Sequence, residues 1–260
     1  MPICNVGTFI LGRQSMEIIK SYDNKTVKKL NKLKQKKYRD EYGEFFVEGY
    51  KNVLDTCSAC GGSVKSIVMS ESAFKQKGDV FADFNIVVMA DRVFEKVGDT
   101  QSSQGVLSIN AVPKSVFPDK PRCVLLDRVR DPGNVGTILR TAVACGYDVI
   151  ANNCADIFSP KVTRSAMSAV LKCNIGIDIS PCDVIAAGYE LIVADMGGDS
   201  VFSAGHCDKY CIVIGNEGEG VSEDIKKLAD RVLSLPQDNM ESLNAAVAAA
   251  VMMFELRYAK

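Results

Sequence analysis

Three stretches carry polar side chains at spacings that could serve chemistry. The first is LDRVRDPGNVGTILRTAVACG, Leu126 to Gly146. An apolar strand ends at Asp127, a Pro-Gly turn follows, and the spacing predicts a helix from about Asn134 to Cys145 with Gly146 as its stop. At about 100° per residue, Asn134, Thr137, Arg140 and Thr141 share one face. Val135, Ile138, Leu139, Ala142 and Val143 form the other. Asn134 and Arg140 thus stand together beyond the carboxyl end of a strand. A solvated helix face, or a mere N-cap at Asn134, gives the same pattern. The second stretch is CIVIGNEGEGVSEDI, Cys211 to Ile225. A strand runs into Gly215, Gly218 and Gly220, then a helix opened by Ser222. Glycines there permit positive φ and close approach of a ligand to the backbone. The order is neither a dinucleotide fingerprint nor a P-loop, and Glu217 and Glu219 would repel phosphate. A cationic or zwitterionic ligand fits better, and a plain strand-to-helix turn fits too. The third is LPQDNMESLNAAVAAAVMMFELRY, Leu235 to Tyr258. Ser242 and Asn244 stand where side chains cap a helix or bind. Ala245 to Phe254 is apolar on nearly every side, which predicts burial in the fold or at a subunit interface.

Other features exclude as much as they suggest. His206 is the only histidine, so a His-rich metal site is impossible, and no nucleophile-elbow motif accompanies it. Cys57-x-x-Cys60 lacks a second pair at zinc-knuckle spacing, and buried inert thiols are the simpler reading. No metal is expected. Lys20 to Arg39 holds nine Lys or Arg and one Asp, with Tyr22 and Tyr38 interleaved. Such a run is either a solvated face or a phosphate-binding patch.

The elements that must position these residues fall into two sets. In the first half, Lys25 to Asp40 reads as one basic helix with Val27, Leu30 and Leu33 inward. Strand-like runs follow at 44–48, 66–70, 86–89 and 106–109, which together make a small α/β domain. In the second half, strand runs at 123–126, 148–151, 191–194, 211–214 and 232–235 alternate with helical patterns. They predict a parallel sheet covered by helices, with ligands at the strands' carboxyl ends. Pro113, Pro118 and Pro121 lie between the halves, so 110–121 reads as a linker. Residues 1–19 read as an N-terminal extension, 20–109 as one domain and 122–260 as the other. Up to residue 109, Lys and Arg outnumber the acids by three; beyond it the acids lead by four, leaving the net charge of −1 over 260 residues. Nucleic-acid contact would therefore need a local patch. Ten scattered cysteines, no secretory signal and no bilayer-spanning run predict a soluble cytoplasmic protein with free thiols and no membrane partner.

Taken in order, D-x-x-x-DPGNVGT-x-x-RTA, VIGNEGEGVS and LP…ESLNAAVAAAVMMFE resemble the three motifs of the SpoU (TrmH-type) RNA ribose 2′-O-methyltransferases, of the SPOUT superfamily. Lys25–Glu48 and Gln104-Gly105-Val106 resemble the ribosomal-protein-like substrate-binding domain found ahead of many of these enzymes, especially those acting on large-subunit rRNA. The resemblance implies an α/β methyltransferase domain tied in a deep trefoil knot, forming a homodimer. It implies S-adenosylmethionine held by Gly215, Gly220, Leu235, Pro236 and Leu243. Arg140, Asn134, Glu217, Ser242 and Asn244 match the family's catalytic and structural polar positions, with Glu217 ordering its loop or pairing with Arg140. Lys28, Lys32, Lys36, Lys37, Arg39 and Arg128 become the expected RNA contacts. Motif three often has Met after its Pro, where this chain has Gln237. The implied reaction is 2′-O-methylation of 23S rRNA; the same reaction on tRNA, or non-catalytic RNA binding, are the alternatives.

Overall fold

The computed structural model describes residues 8–11, 14–100, 103–240 and 242–259. These divide into two compact units, one within Met1–Pro113 plus Phe158–Arg164, the other within Lys114–Ile157 plus Ser165–Lys260.

The first unit contains β1 (Thr8–Leu11), β2 (Gln14–Ile19), α1 (Lys25–Leu33), α2 (Lys36–Tyr42), β3 (Glu44–Glu48), α3 (Tyr50–Cys60), β4 (Val64–Ser70), α4 (Glu71–Lys77), β5 (Ile86–Met89), α5 (Asp91–Val97) and β6 (Val106–Ala111). Its sheet runs β1-β2-β5-β4-β6-β3. The central strands bury both faces. Phe46, Val68 and Leu107 pack with Leu30, Leu33 and Phe94 on one side. Ile67, Met69 and Val106 pack with Val53, Phe74 and Phe81 on the other. That division is the two-residue period of a strand.

Two expectations change here. Residues 14–19, set apart by sequence as part of an extension, form β2, and Ile18 and Ile19 pair with Val88 and Met89 of β5. Ile18 is buried, so its apolar side chain belongs to the core; residues 1–7 and 12–13 lie outside the described residues. The basic helix is two helices, because Gln35 is extended (φ −103, ψ 135). The break lets the Arg39 guanidinium donate to the Leu33 carbonyl at 2.7 Å, which satisfies an orphan carbonyl at the end of α1.

The second unit contains β7 (Arg122–Asp127), α6 (Pro132–Cys145), β8 (Asp148–Asn152), α7 (Pro160–Ala166, shared with the first unit), β9 (Ile175–Ile177), α8 (Pro181–Ala186), β10 (Glu190–Ser200), β11 (Tyr210–Ile214), α9 (Glu223–Lys226), β12 (Arg231–Ser234) and α10 (Ala245–Tyr258). The sheet order is β12-β10-β11-β7-β8-β9, parallel throughout. Strand order reverses between β7 and β11. The loops leaving those two strands therefore face each other at the switch point, where open α/β sheets bind ligands. The three-residue β9 escaped the sequence reading because Ile175-Gly176-Ile177 is too short to show a period.

The proline-rich segment is strapped down. Tyr189 Oη donates to the carbonyls of Pro118 and Lys120 at 3.2 and 2.6 Å. The fully buried Asp148 carboxylate accepts from the Asp119 and Lys120 amides and pairs with Lys120 Nζ at 2.8 Å. Burial pushes this carboxyl up, but Lys120 and the two amides hold it below the ordinary aspartate value.

Candidate active site

The helix α6 begins at Pro132, two residues earlier than its apolar periodicity indicates. Asp131 is its N-cap and accepts from the Asn134 amide at 2.8 Å. The Asn134 side chain is thereby free of capping duty. Its Nδ2 donates to Glu217 Oε1 at 2.9 Å, and its Oδ1 accepts from Asn244 Nδ2 at 2.9 Å. Asn244 Oδ1 in turn caps α10, accepting from the Ala246 and Val247 amides at 3.0 and 3.3 Å. One side-chain chain, Asn244 to Asn134 to Glu217, joins residues 83 and 110 positions apart and ties the three stretches together.

Glu217 has further partners. Its carboxylate accepts from the Arg130 and Asp131 amides at 3.1 and 3.0 Å. Partial burial pushes its pKa up, but Asn134 and those amides outweigh this and hold it below the ordinary glutamate value. Of the two roles expected for Glu217, ordering the loop is the one its contacts fit; its partners are amides, not the Arg140 guanidinium. Arg140 is exposed on α6 and makes no hydrogen bond or ion pair among the described residues.

The loop after β11 closes on itself: Asn216 and Gly220 exchange backbone hydrogen bonds at 3.0 and 2.9 Å. Gly220 has φ +70, and a Cβ on Gly215 would strike the Gly220 backbone, so this turn requires glycine at both. Asn216 Oδ1 accepts from the Gly218 and Glu219 amides, and its Nδ2 donates to the Arg128 carbonyl at 2.9 Å. Arg128, expected on RNA, is committed here. Its guanidinium donates to Glu219 Oε2 at 2.5 Å and to Asp127, and these carboxylates raise its pKa. Asp127 Oδ2 also accepts from the Ser222 amide at 2.8 Å. The contacts of Arg128 and Asp127 link the first and second stretches.

Beside this loop lies a cavity of about 330 Å³, within the range of small-molecule sites. Gly215, Glu217, Gly220, Leu235, Ser242 and Leu243 line it. Pro236 is exposed and Asn134, Arg140 and Asn244 stand outside the lining. Gln237, singled out by sequence as a departure from motif three, stands in the wall, and so do Asp195 and Met196, which sequence reasoning missed. No local signal marks Asp195 or Met196, which reach the wall because β10 lies between β11 and β12. Gln237 Nε2 donates to Met196 Sδ at 3.4 Å, while its Oε1 is buried with no partner among the described residues. Apolar walls, carboxylates and a buried acceptor without a donor suit a cationic, amine-bearing ligand with an apolar body.

The basic patch expected on α1 is largely engaged. Arg39 is 4% exposed. Lys28 pairs with Asp23 at 2.9 Å and Lys36 with Asp40 at 2.7 Å. Lys32 donates to Tyr42 Oη at 3.3 Å, and Lys37 lies over the Tyr38 ring. The apolar face of α10 is not buried all round: Val247, Phe254 and Tyr258 are 50, 47 and 65% exposed in the single chain. Among the described residues no cluster of three metal-ligating side chains occurs, and no helix is long and apolar enough to cross a membrane.

A doubly wound parallel sheet with glycine-rich and polar loops at its switch point is the framework of an α/β enzyme, and comparison with known proteins specifies which. The chain belongs to the SpoU rRNA methylase family, whose profile matches residues 121–254. Residues 24–108 match the MRM3-like substrate binding domain. Among relatives is the 23S rRNA (guanosine(2553)-2′-O)-methyltransferase RlmP of Bacillus subtilis (strain 168), 29% identical over 93% of this chain and 100% of that protein. The AdoMet-bound rRNA methyltransferase of Sinorhizobium meliloti is similar in structure, with a TM-score of 0.80 at 28% identity over 93% of this chain and 97% of that one. The SpoU methyltransferase AviRb of Streptomyces viridochromogenes, in complex with AdoMet, gives 0.76 at 26% identity over 90% and 98%.

Proposed function

We propose that this protein is an S-adenosylmethionine-dependent ribose 2′-O-methyltransferase acting on large-subunit (23S) rRNA. The observation that carries the reading is the Asn244–Asn134–Glu217 chain beside the cavity. S-adenosylmethionine supplies a methyl group activated on a positively charged sulfur. Glu217, whose partners are neutral amides, brings negative charge to the wall that would face it, whereas Glu219 is paired with Arg128. Leu235 and Leu243 cover its apolar body, Gly215 and Gly220 let the backbone approach, and Pro236 stiffens the turn. Gln237 Oε1 awaits an amino donor. Arg140 contributes a guanidinium group with five N–H donors. It places positive charge where the ribose oxygen becomes anionic as its proton leaves, or where the adjacent phosphate sits. Ser242 and Asn244 orient the ribose, and Asn134 holds Asn244 in place.

The same reading includes a homodimer through the exposed apolar stripe of α10, a cytoplasmic location, and an N-terminal domain that binds the RNA. It also includes a trefoil knot, which membership of the SpoU family supports. The test is methyl transfer from tritiated S-adenosylmethionine to total RNA from a host lacking the modification. Label in large-subunit rRNA, surviving as an alkali-resistant dinucleotide, is the expected result. Label only in tRNA overturns the substrate, and no label in either overturns the enzyme reading.

A further inference from the structure

A second cavity, of about 240 Å³, lies wholly in the first unit, at the turn from β3 into α3. Its lining includes Glu48, Lys51, Asn52, Thr100, Gln104 and Arg164. Several of these groups are held rigidly. Glu48, 8% exposed, accepts from the Asp99 amide at 2.8 Å and the Thr100 hydroxyl at 2.7 Å. Gln104 Oε1 accepts from the Tyr50 amide at 2.7 Å, which fixes its amide so that Nε2 is the open end. Asn52 Nδ2 donates to the Glu48 carbonyl at 3.0 Å, which leaves Oδ1 as the open end. Arg164 is held by Asp99 through one nitrogen at 3.3 Å. Its segment joins this unit through Phe158, whose ring lies tilted at 50° to that of Phe45 with centroids 5.0 Å apart, and Thr163, whose hydroxyl donates to the Phe46 carbonyl. Lys51 is exposed and makes no ion pair among the described residues.

The cavity thus offers an oriented amide donor, an oriented amide acceptor and two cations. We propose that it binds one unpaired nucleotide of the RNA substrate. The base edge meets Gln104 Nε2 and Asn52 Oδ1, and the phosphate meets Lys51 and Arg164. A splayed-out base presents both a donor and an acceptor, whereas phosphate contacts position without reading sequence. The cavity then selects the substrate away from the transferring methyl group. This rests on the reading of the protein as an RNA methyltransferase, and its test is separable from that reading.

The full ¹⁵N-labelled chain is titrated with AMP, GMP, CMP, UMP and inorganic phosphate in turn, without cofactor. Base-dependent shifts of the Lys51, Asn52 and Thr100 amides and the Gln104 side-chain amide are expected. Lys51→Ala, exposed and remote from the core, weakens binding about tenfold, the loss of one charge-assisted hydrogen bond. Equal shifts with phosphate alone reduce the cavity to an anion site and overturn the proposal, as does the absence of shifts there. In methyl transfer, Lys51→Ala and Asn52→Ala raise KM for rRNA and leave kcat unchanged. An unchanged KM in both overturns the selecting role. A wild-type chain that methylates no RNA overturns the enzyme reading, while the titration still judges the cavity.

Discussion

Arg140 and Glu217 differ in how the surrounding protein holds them, and that difference separates their predicted effects. Arg140 is exposed and unengaged among the described residues, so removing it disturbs little else. Arg140→Ala is expected to bind S-adenosylmethionine with near wild-type Kd by calorimetry and to lose about 10²–10³ in kcat, the scale of one electrostatic stabiliser. Near-normal turnover would remove it from the mechanism. Glu217 is built into a network, and hydrogen bonds hold its pKa below the ordinary 4.5 despite burial. A carboxylate depressed in the folded state stabilises fully above its unfolded value and loses that contribution as pH falls through the folded one. The Glu217 contribution is therefore constant at neutral pH and is lost only below the ordinary glutamate range. A kcat–pH profile should show no inflection near neutrality that disappears in Glu217→Gln; finding one would contradict this assignment.

Among elements, the break between α1 and α2 shows how far a charge run can mislead. Arg39 looks like surface cation by composition, yet its guanidinium is the plug that completes the end of α1. The proline-rich segment shows the opposite: it reads as a passive linker, yet Asp148 anchors it through Lys120 and two backbone amides. Lys120→Met leaves that buried carboxylate without its cation and should lower unfolding free energy by about 3 kcal/mol in urea titrations at neutral pH. Asp148 is depressed in the native state, so the contribution is present above the unfolded aspartate value and fades as pH falls through the folded one. The difference between wild type and variant should shrink accordingly in acid. An undiminished difference there would assign the loss to packing of the lysine stem.

At the scale of the whole molecule, the stripe of Val247, Phe254 and Tyr258 on α10 is too apolar and too exposed to face water without purpose. Phe254→Glu is expected to convert the proposed dimer to a monomer by light scattering, with far-UV circular dichroism unchanged. A monomeric wild type would refute the dimer outright. The two-unit division carries a consequence of its own. Phe158–Arg164 belongs with the first unit, so a chain cut near residue 113 leaves the Phe45 ring and Asp99 without their partners.

Motif order and strand alternation were legible because they are local. Nine of the described strands announce themselves as apolar runs, and Asn134, Glu217 and Asn244 stand out by type and position. Which of these touch was not legible, since hydrogen bonds between residues about a hundred positions apart depend on β7 and β11 lying side by side at the switch point. The same holds for Gln237 and Met196 meeting at one cavity wall, and for the cavity at Lys51 and Arg164. Local pattern reports a residue's own preference for burial and backbone shape. Tertiary packing alone decides which polar atoms find partners, which charges are spent on structure, and which remain free for a ligand.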